Sequence, residues 1–531
     1  MINSKTFALD KNGKPLVLVF SFLLLSIYLV FPTREFYWDG IIYAQFIEDT
    51  LGFGAHLFHP NHLFYNVIGY IAFNAAQSFG LQIRAIYVLQ FVTTIFGILC
   101  AIVFYRISKH IFRSRYLSAA MTALLAFSAA WWRFSTDADV YIISIFFLLV
   151  GFYLVLPNKE PRPYLAAIAH SFAMFFHELA ALVFPAIVLG LIFQTVSLER
   201  RKRILIVAQY GFAAFLLVFG TYCLCFYLLT GTFYLKDFAG WIFSYAPEAG
   251  FSPSVQESLS LTARGHQKLF LDGSSRLFER NAFNIILLTV FSGAAAWFLI
   301  LLGRNFRELK IWLQSFREQR IYRHQVVLLC AAWIAPYLFF LFFFLPENIF
   351  YRLFYFPALI ILIGTLLAPY ENLNRKRRGR LALFVLLVGL YNFLFYIQPN
   401  SQIRENTSLA VALRANNLWS EKTVVFYVPV SSFDSFDSKD RLVRYFNLPV
   451  AWKPFDSIKL KEFEAEARKI HGDGGNIWLS AAAVKKLSAM PDAAQWLTEN
   501  SSAQTELDAP PLDMKYIRIV PKSAERENAP D

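Results

Sequence analysis

The sequence predicts an α-helical polytopic membrane protein of about eleven transmembrane helices, followed by a small C-terminal α/β domain outside the membrane. Three observations predict it. Hydrophobic residues make up 57% of the chain and charged residues only 16%, and 57 residues are Phe. A soluble domain of this size needs far more charge on its surface. Apolar runs of about 20 residues, the length that crosses a hydrocarbon core, recur up to residue 398. Finally, Lys and Arg cluster in alternate loops and leave the short opposite loops nearly bare of basic charge.

The first run, Leu16 to Phe31, follows Lys5, Lys11 and Lys14 and ends in Phe31-Pro32-Thr33-Arg34. No small-residue cleavage pattern follows, so it reads as a retained span. With the N-terminus inside, the cytoplasmic face receives these lysines, Arg106–Arg115, Lys159 and Arg162, and Arg200–Arg203. It also receives the Arg304–Arg323 stretch and Arg375–Arg378. The spans consistent with this are 16–32, 84–105, 116–133, 140–156, 163–177, 180–197, 204–229, 283–302, 325–345, 349–368 and 381–398. An odd count puts the tail outside, and residues 1–398 form the membrane domain with outer loops 33–83 and 230–282. Leu63 to Phe79 is apolar, but counting it as a span would invert the basic Arg106–Arg115 loop. It is read as an amphipathic or re-entrant element. Residues 163–197 are divided because His177-Glu178 is too polar for the middle of a span.

The tail, residues 399–531, changes composition to many Lys, Glu and Asp. Strand-like Thr423–Pro429, Asn476–Leu479 and Met514–Val520 alternate with helical Ser438–Phe446, Leu460–Ile470 and Ala481–Leu487. Together they predict an α/β domain, and Ser523–Asp531 reads as a frayed end. The four cysteines all lie in apolar runs, so no disulfide framework is expected. No internal repeat is evident.

Ionisable residues near a bilayer mark candidate sites. On the outer side stand Asp39, Glu48 and Asp49, the histidines His56, His59 and His62, the turn Asp137-Ala138-Asp139, His177-Glu178, and Tyr351-Arg352. Helix capping competes as an explanation for Asp137 and Asp139, and interfacial snorkelling for Arg352. His56, His59 and His62 have a helical spacing, but Pro60 interrupts it and no cysteine completes a tetrahedral set. A divalent metal there is the weaker reading, and no cofactor is required. Walker, zincin and nucleophile-elbow motifs are absent.

These residues resemble the GT-C superfamily of membrane glycosyltransferases, which use polyprenyl-phosphate sugars as donors. Protein O-mannosyltransferases and the aminoarabinose transferases of lipid A are among its members. The resemblance covers about residues 16–398. It is carried by Tyr37-Trp38-Asp39-Gly40 directly after the first span, by Asp137-Ala138-Asp139-Val140-Tyr141, and by Tyr351-Arg352-Leu353-Phe354-Tyr355-Phe356-Pro357-Ala358-Leu359. His59-Pro60-Asn61-His62-Leu63-Phe64-Tyr65 is closest to the bacterial protein O-mannosyltransferase-like branch.

The resemblance implies an inverting transfer of a sugar to a protein, lipid or glycan acceptor on the extracytoplasmic face. Asp39 would be the general base. Arg352, with Tyr351, would hold the donor phosphate. His59, His62, Glu48, Asp49, Asp137, Asp139, His177 and Glu178 are candidate substrate contacts, and whether Glu48 or Asp49 assists Asp39 stays open. The expected partners are the bilayer, the polyprenyl-linked donor and an acceptor, with no nucleic acid. The expected location is a bacterial inner membrane. A transporter or lipid flippase is the rival class. It would need mid-span charges and broken helices in matching halves, and His170 is the main mid-membrane titratable group.

Overall fold

A computed structural model describes residues 14–48, 53–54, 57–243, 254–273, 282–315, 317–367, 375–429, 438–447, 449–455, 460–490, 493–509 and 514–521. Asp49, His56 and the Ser523–Asp531 end lie outside them. The chain divides into two compact units: residues 1–33 with 46–399, and residues 34–45 with 400–531.

The membrane unit is helical. Its first helices are α1 (Lys14–Val30), α2 (Trp38–Glu48, whose first residues group with the other unit), α3 (Tyr65–Ser78) and α4 (Ala85–Phe112). Then come α5 (Arg115–Ala126), α6 (Ala129–Ser135), α7 (Tyr141–Leu154), α8 (Pro163–Phe176), α9 (Phe184–Gln194) and α10 (Arg200–Thr230). The series ends with α11 (Leu235–Phe243), α12 (Val255–Phe270), α13 (Ala282–Ser315), α14 (Arg317–Phe343), α15 (Phe356–Leu367) and α16 (Arg375–Asn392). Among the described residues, five helical stretches are long and apolar enough to cross a membrane: 85–112, 200–230, 282–300, 322–343 and 377–400. Five shorter apolar helices accompany them, over 17–30, 141–154, 163–176, 178–194 and 356–367.

Local chemistry sets the breaks. The span expected over 116–133 is two helices. Phe127 leaves helical geometry, Ser128 is extended, and its hydroxyl donates back to the Leu125 carbonyl at 2.7 Å. The 163–197 stretch breaks at His177, which is extended; its Nδ1 accepts from the Leu179 N–H at 3.2 Å and so caps the 3₁₀ turn Glu178–Val183. Helix α3 has 14 residues, a rise of about 21 Å against the roughly 30 Å of a hydrocarbon core. Packing joins α8 to α7 and α10, and α4 to α5 and α7. Asn392, at the end of α16, donates to the Phe127 carbonyl at 2.9 Å and to the Phe270 carbonyl at 2.7 Å. One buried amide thus satisfies the C-cap carbonyl after α5 and the last carbonyl of α12 together. The π turn Phe393–Ile397 follows. Gly273, at φ +82°, passes so close that a β-carbon there would strike the Phe395 carbonyl.

The C-terminal unit carries α17 (Thr407–Leu418), α18 (Ser438–Phe446), α19 (Leu460–Gly472), α20 (Ala481–Ser488) and α21 (Ala493–Asn500). Its strands are β1 (Thr423–Tyr427), β2 (Ala451–Pro454), β3 (Asn476–Ser480), β4 (Ser501–Ala509) and β5 (Met514–Ile519). The sheet order is β2-β1-β3-β5-β4; β1 runs parallel to β2 and β3, and β5 runs antiparallel to β3 and β4. Phe426, Phe455, Phe463, Ile477, Leu479, Leu487 and Ile519 form the core of one face. The sequence reading passes over β2, β4, α17 and α21. Strand β2 has only four residues and no buried position, and thus carries no alternation to detect.

Candidate functional site

In the membrane unit a turn over His59–His62 brings distant residues together. The two residues bridge each other, with the His62 N–H on the His59 carbonyl at 3.1 Å, and their rings stack at 4.3 Å with 4° between planes. Backbone bonds fix the turn: Glu178 N–H donates to the Asn61 carbonyl at 3.2 Å, and Phe64 N–H to the Phe175 carbonyl at 3.1 Å. The Tyr222 hydroxyl of α10 donates to the Pro60 carbonyl at 2.7 Å. The His177 ring lies 5.9 Å from His62, 5.2 Å from Tyr141 and 5.7 Å from Tyr351. Residues separated by nearly 300 positions in sequence therefore line one aromatic wall.

Loss of water lowers the basicity of this wall. Desolvation brings the His59 pKa down to about 4 and holds His62 well below the ordinary histidine range; His59 and His177 add smaller like-charge effects at His62. Both imidazoles are neutral at pH 7; the His59 Nδ1 accepts the Asn61 N–H at 3.3 Å, which makes its Nε2 the donor. Among the described residues, no three His, Cys, Asp or Glu side chains converge as a metal set.

Asp137 and Asp139 are buried. One carboxylate oxygen of each accepts from the next residue's N–H, Ala138 at 2.8 Å and Val140 at 2.7 Å. The turn before α7 explains those bonds. Burial first, then the Asp139 carboxylate, holds the Tyr65 phenol well above its ordinary range, and the Tyr65 N–H donates to the His62 carbonyl at 3.2 Å. The acidic turn and the histidine turn are thus electrostatic neighbours through Tyr65.

Beside Pro60 and Glu178 opens an apolar cavity of about 510 Å³, lined also by Ala181, Phe215, Tyr222 and Phe238. His170 reaches this cavity too, but its ring is occupied: Nδ1 bonds the Tyr210 hydroxyl at 2.7 Å and Nε2 the Ala180 carbonyl at 2.9 Å. A second apolar cavity of about 620 Å³ lies among Phe20, Tyr116, Ala123, Phe127 and Leu386.

Two expected ligand contacts are already engaged within the chain. The Glu48 carboxylate takes the Arg84 Nε at 2.9 Å and 3.0 Å, and the Ala85 N–H at 2.6 Å. It caps the N-terminus of α4, where the helix dipole favours an anion. These bonds give Glu48 a structural role within the chain. Arg352 is fully buried. Its guanidinium donates to the Tyr355 hydroxyl at 2.6 Å and to the Pro346 carbonyl, while Nε, also buried, has no hydrogen-bond partner among the described residues. The guanidinium is therefore a buried group and not a snorkelling surface cation.

Around Arg352, sequence reasoning missed the α12 residues. The Tyr355 hydroxyl pairs with His266 Nε2 at 3.0 Å, and His266 Nδ1 with the Thr262 carbonyl at 2.8 Å. Desolvation lowers the His266 pKa, with Arg352 adding to it. Glu347 takes Lys268 at 2.5 Å and Arg264 at 3.2 Å. The detectable signal was the close spacing of Arg264, His266 and Lys268 in an outer loop.

Asp39 belongs to the C-terminal unit. It lies half-buried in the first turn of α2, where an acid also suits the helix dipole.

The sequence matches no family model and no curated protein. In fold, the chain is similar to ArnT from Cupriavidus metallidurans, solved bound to undecaprenyl phosphate and in the apo state. Each comparison has a TM-score of 0.58 and 11% identity, and covers 96% of this chain and 98% of that one. Over nearly its whole length, then, this membrane protein has the ArnT fold.

Proposed function

We propose that the protein is an integral membrane glycosyltransferase that moves a sugar from a polyprenyl-phosphate donor to an acceptor on the extracytoplasmic face. The observation that carries this reading is the 510 Å³ apolar cavity whose lining includes Pro60 and Glu178, the chain neighbours of His59 and His177 in the histidine wall. A long isoprenoid chain needs an apolar channel, and its sugar needs polar groups at one end of it. The shared fold adds support, since ArnT was solved with undecaprenyl phosphate.

In the proposed reaction Asp39 takes the proton from the acceptor hydroxyl or amine as it attacks the sugar C1. The bond from C1 to the phosphate oxygen breaks, the configuration inverts, and the lipid phosphate leaves with its electron pair. Neutral His59, whose Nδ1 already accepts the Asn61 N–H at 3.3 Å, can donate from Nε2 to a sugar hydroxyl, and neutral His62 supplies a second imidazole beside it. Arg352 and Tyr351 serve the phosphate. Asp137 and Asp139 hold the floor of the wall. No metal is required, and a bacterial inner membrane is the proposed location.

The test is sugar transfer by membranes supplied with undecaprenyl phosphate carrying labelled aminoarabinose, mannose or glucose. Wild type transfers one of them and Asp39→Asn does not. Full transfer by Asp39→Asn removes Asp39 as the base. Absence of transfer from all donors, together with measured lipid or solute transport, favours the transporter class.

A further inference from the structure

The segment that carries Asp39 folds with the C-terminal unit, although more than 350 residues separate them in sequence. Backbone, side-chain and ring contacts hold it there. The Arg34 N–H donates to the Asn400 carbonyl at 2.7 Å. The Asn406 side-chain amide donates to the Arg34 carbonyl, while its Oδ1 accepts the Leu409 N–H at 2.9 Å and caps α17. The buried rings of Phe36 and Phe446 meet at 6.5 Å. The Arg441 guanidinium lies 5.9 Å from the centre of the Trp38 ring.

Phe446 and Arg441 are both on α18, and that helix is itself anchored. Asp440 accepts from the Tyr516 hydroxyl of β5. Asn447, just past the end of α18, donates to the Ala412 carbonyl of α17 at 3.0 Å. A chain of contacts therefore runs from the sheet through α18 to Trp38, the residue before Asp39. The stretch between α1 and α2 has no regular structure of its own, and Trp38 is the first residue of α2. A general base needs its carboxylate held to a fraction of an ångström.

We propose that the C-terminal domain sets the orientation of Asp39, with Arg441 as the positioning residue acting through the Trp38 ring. This deepens the reading of Asp39 as the base and rests on it for its catalytic consequence. The clamp itself can be measured without any reaction. The domain is thus a working part of the transfer reaction and not merely an appendage that binds acceptor.

The experiment uses the full-length protein in nanodiscs, with hydrogen exchange read by mass spectrometry and transfer read with the undecaprenyl-phosphate sugar that wild type accepts. In Arg441→Ala, exchange over residues 36–45 rises at least tenfold while the sheet peptides keep their protection. The kcat falls at least tenfold and the KM for donor changes less than twofold. Arg441→Lys, which keeps a cation for the ring, recovers most of both. The double variant Trp38→Leu/Arg441→Ala is no slower than the slower single variant, because both act through one contact. If Arg441→Ala unfolds the domain, Trp38→Leu, whose change lies outside α18 and the sheet, provides the same two readings.

Unchanged exchange over 36–45 overturns the clamp. Multiplying losses in the double variant overturn the route through Trp38. Raised exchange with full kcat overturns the catalytic consequence. Full transfer by Asp39→Asn removes the base assignment separately, and the exchange result still decides the clamp.

Discussion

Arg352 lies against the face of α12 at Gly265, where a β-carbon would come within 2.5 Å of its Nε and 3.1 Å of the Glu347 carbonyl. Gly265 therefore lets a loop helix close over a fully buried guanidinium.

Gly265→Ala sets two effects against each other. Alanine favours a helix over glycine by about 1 kcal/mol, whereas overpacking costs about 1–3 kcal/mol. The guanidinium has little room to retreat, since Pro346 and Tyr355 hold it. The net result is a loss of about 1 kcal/mol, read as a lower midpoint of thermal unfolding in detergent. A raised midpoint shows instead that Arg352 moves aside.

Arg352→Lys does not substitute for arginine. A single ammonium lacks the planar fork that reaches the Tyr355 hydroxyl and the Pro346 carbonyl together. We expect a loss of about 3 kcal/mol, as for breaking a buried charged contact, and at least a tenfold drop in transfer. Wild-type unfolding by this variant contradicts the assigned role of the guanidinium.

Acid destabilises the histidine wall. The folded-state pKa of His59 lies at about 4, below the ordinary 6.5, and His62 is lowered as well. Between those values the unfolded chain binds more protons, so stability is present above about pH 6.5 and declines as pH falls toward 4. For His59 alone the linkage is on the order of 3 kcal/mol. Unfolding midpoints measured from pH 7.5 to 4.5 should fall, and less steeply in His59→Asn.

Glu48 and Asp39 should separate cleanly. Glu48→Gln loses the charge that pairs with Arg84 and caps α4, costing about 1–2 kcal/mol, yet it transfers sugar within a few-fold of wild type. Asp39→Asn keeps its unfolding midpoint and loses transfer. A transfer defect in Glu48→Gln larger than its stability loss accounts for would return Glu48 to the site.

The two cavities also differ in their expected roles. Ala214→Trp fills the cavity beside Glu178 and raises the KM for a long-chain donor about tenfold, with less effect on a short-chain one. Ala123→Trp fills the other cavity and leaves that KM unchanged. Equal effects from both substitutions would remove the chain-binding role of the first.

The sequence by itself determined the apolar helical class, the break at His177-Glu178 and six elements of the α/β tail. These follow from local quantities: run length, hydropathy and alternation. It also singled out His59, His62, His177 and Tyr351, because polar groups in apolar surroundings are conspicuous.

Only the tertiary structure decided what each polar group does. Glu48 reads like any outer acid until Arg84 and the start of α4 meet it. Arg352 reads like a surface cation until Gly265, Pro346 and Tyr355 enclose it. His266 had no apolar run around it to mark it, and Asp39 gave no hint that its segment folds with Arg441. Burial and hydrogen-bond partners depend on residues tens to hundreds of positions away, so no local pattern encodes them.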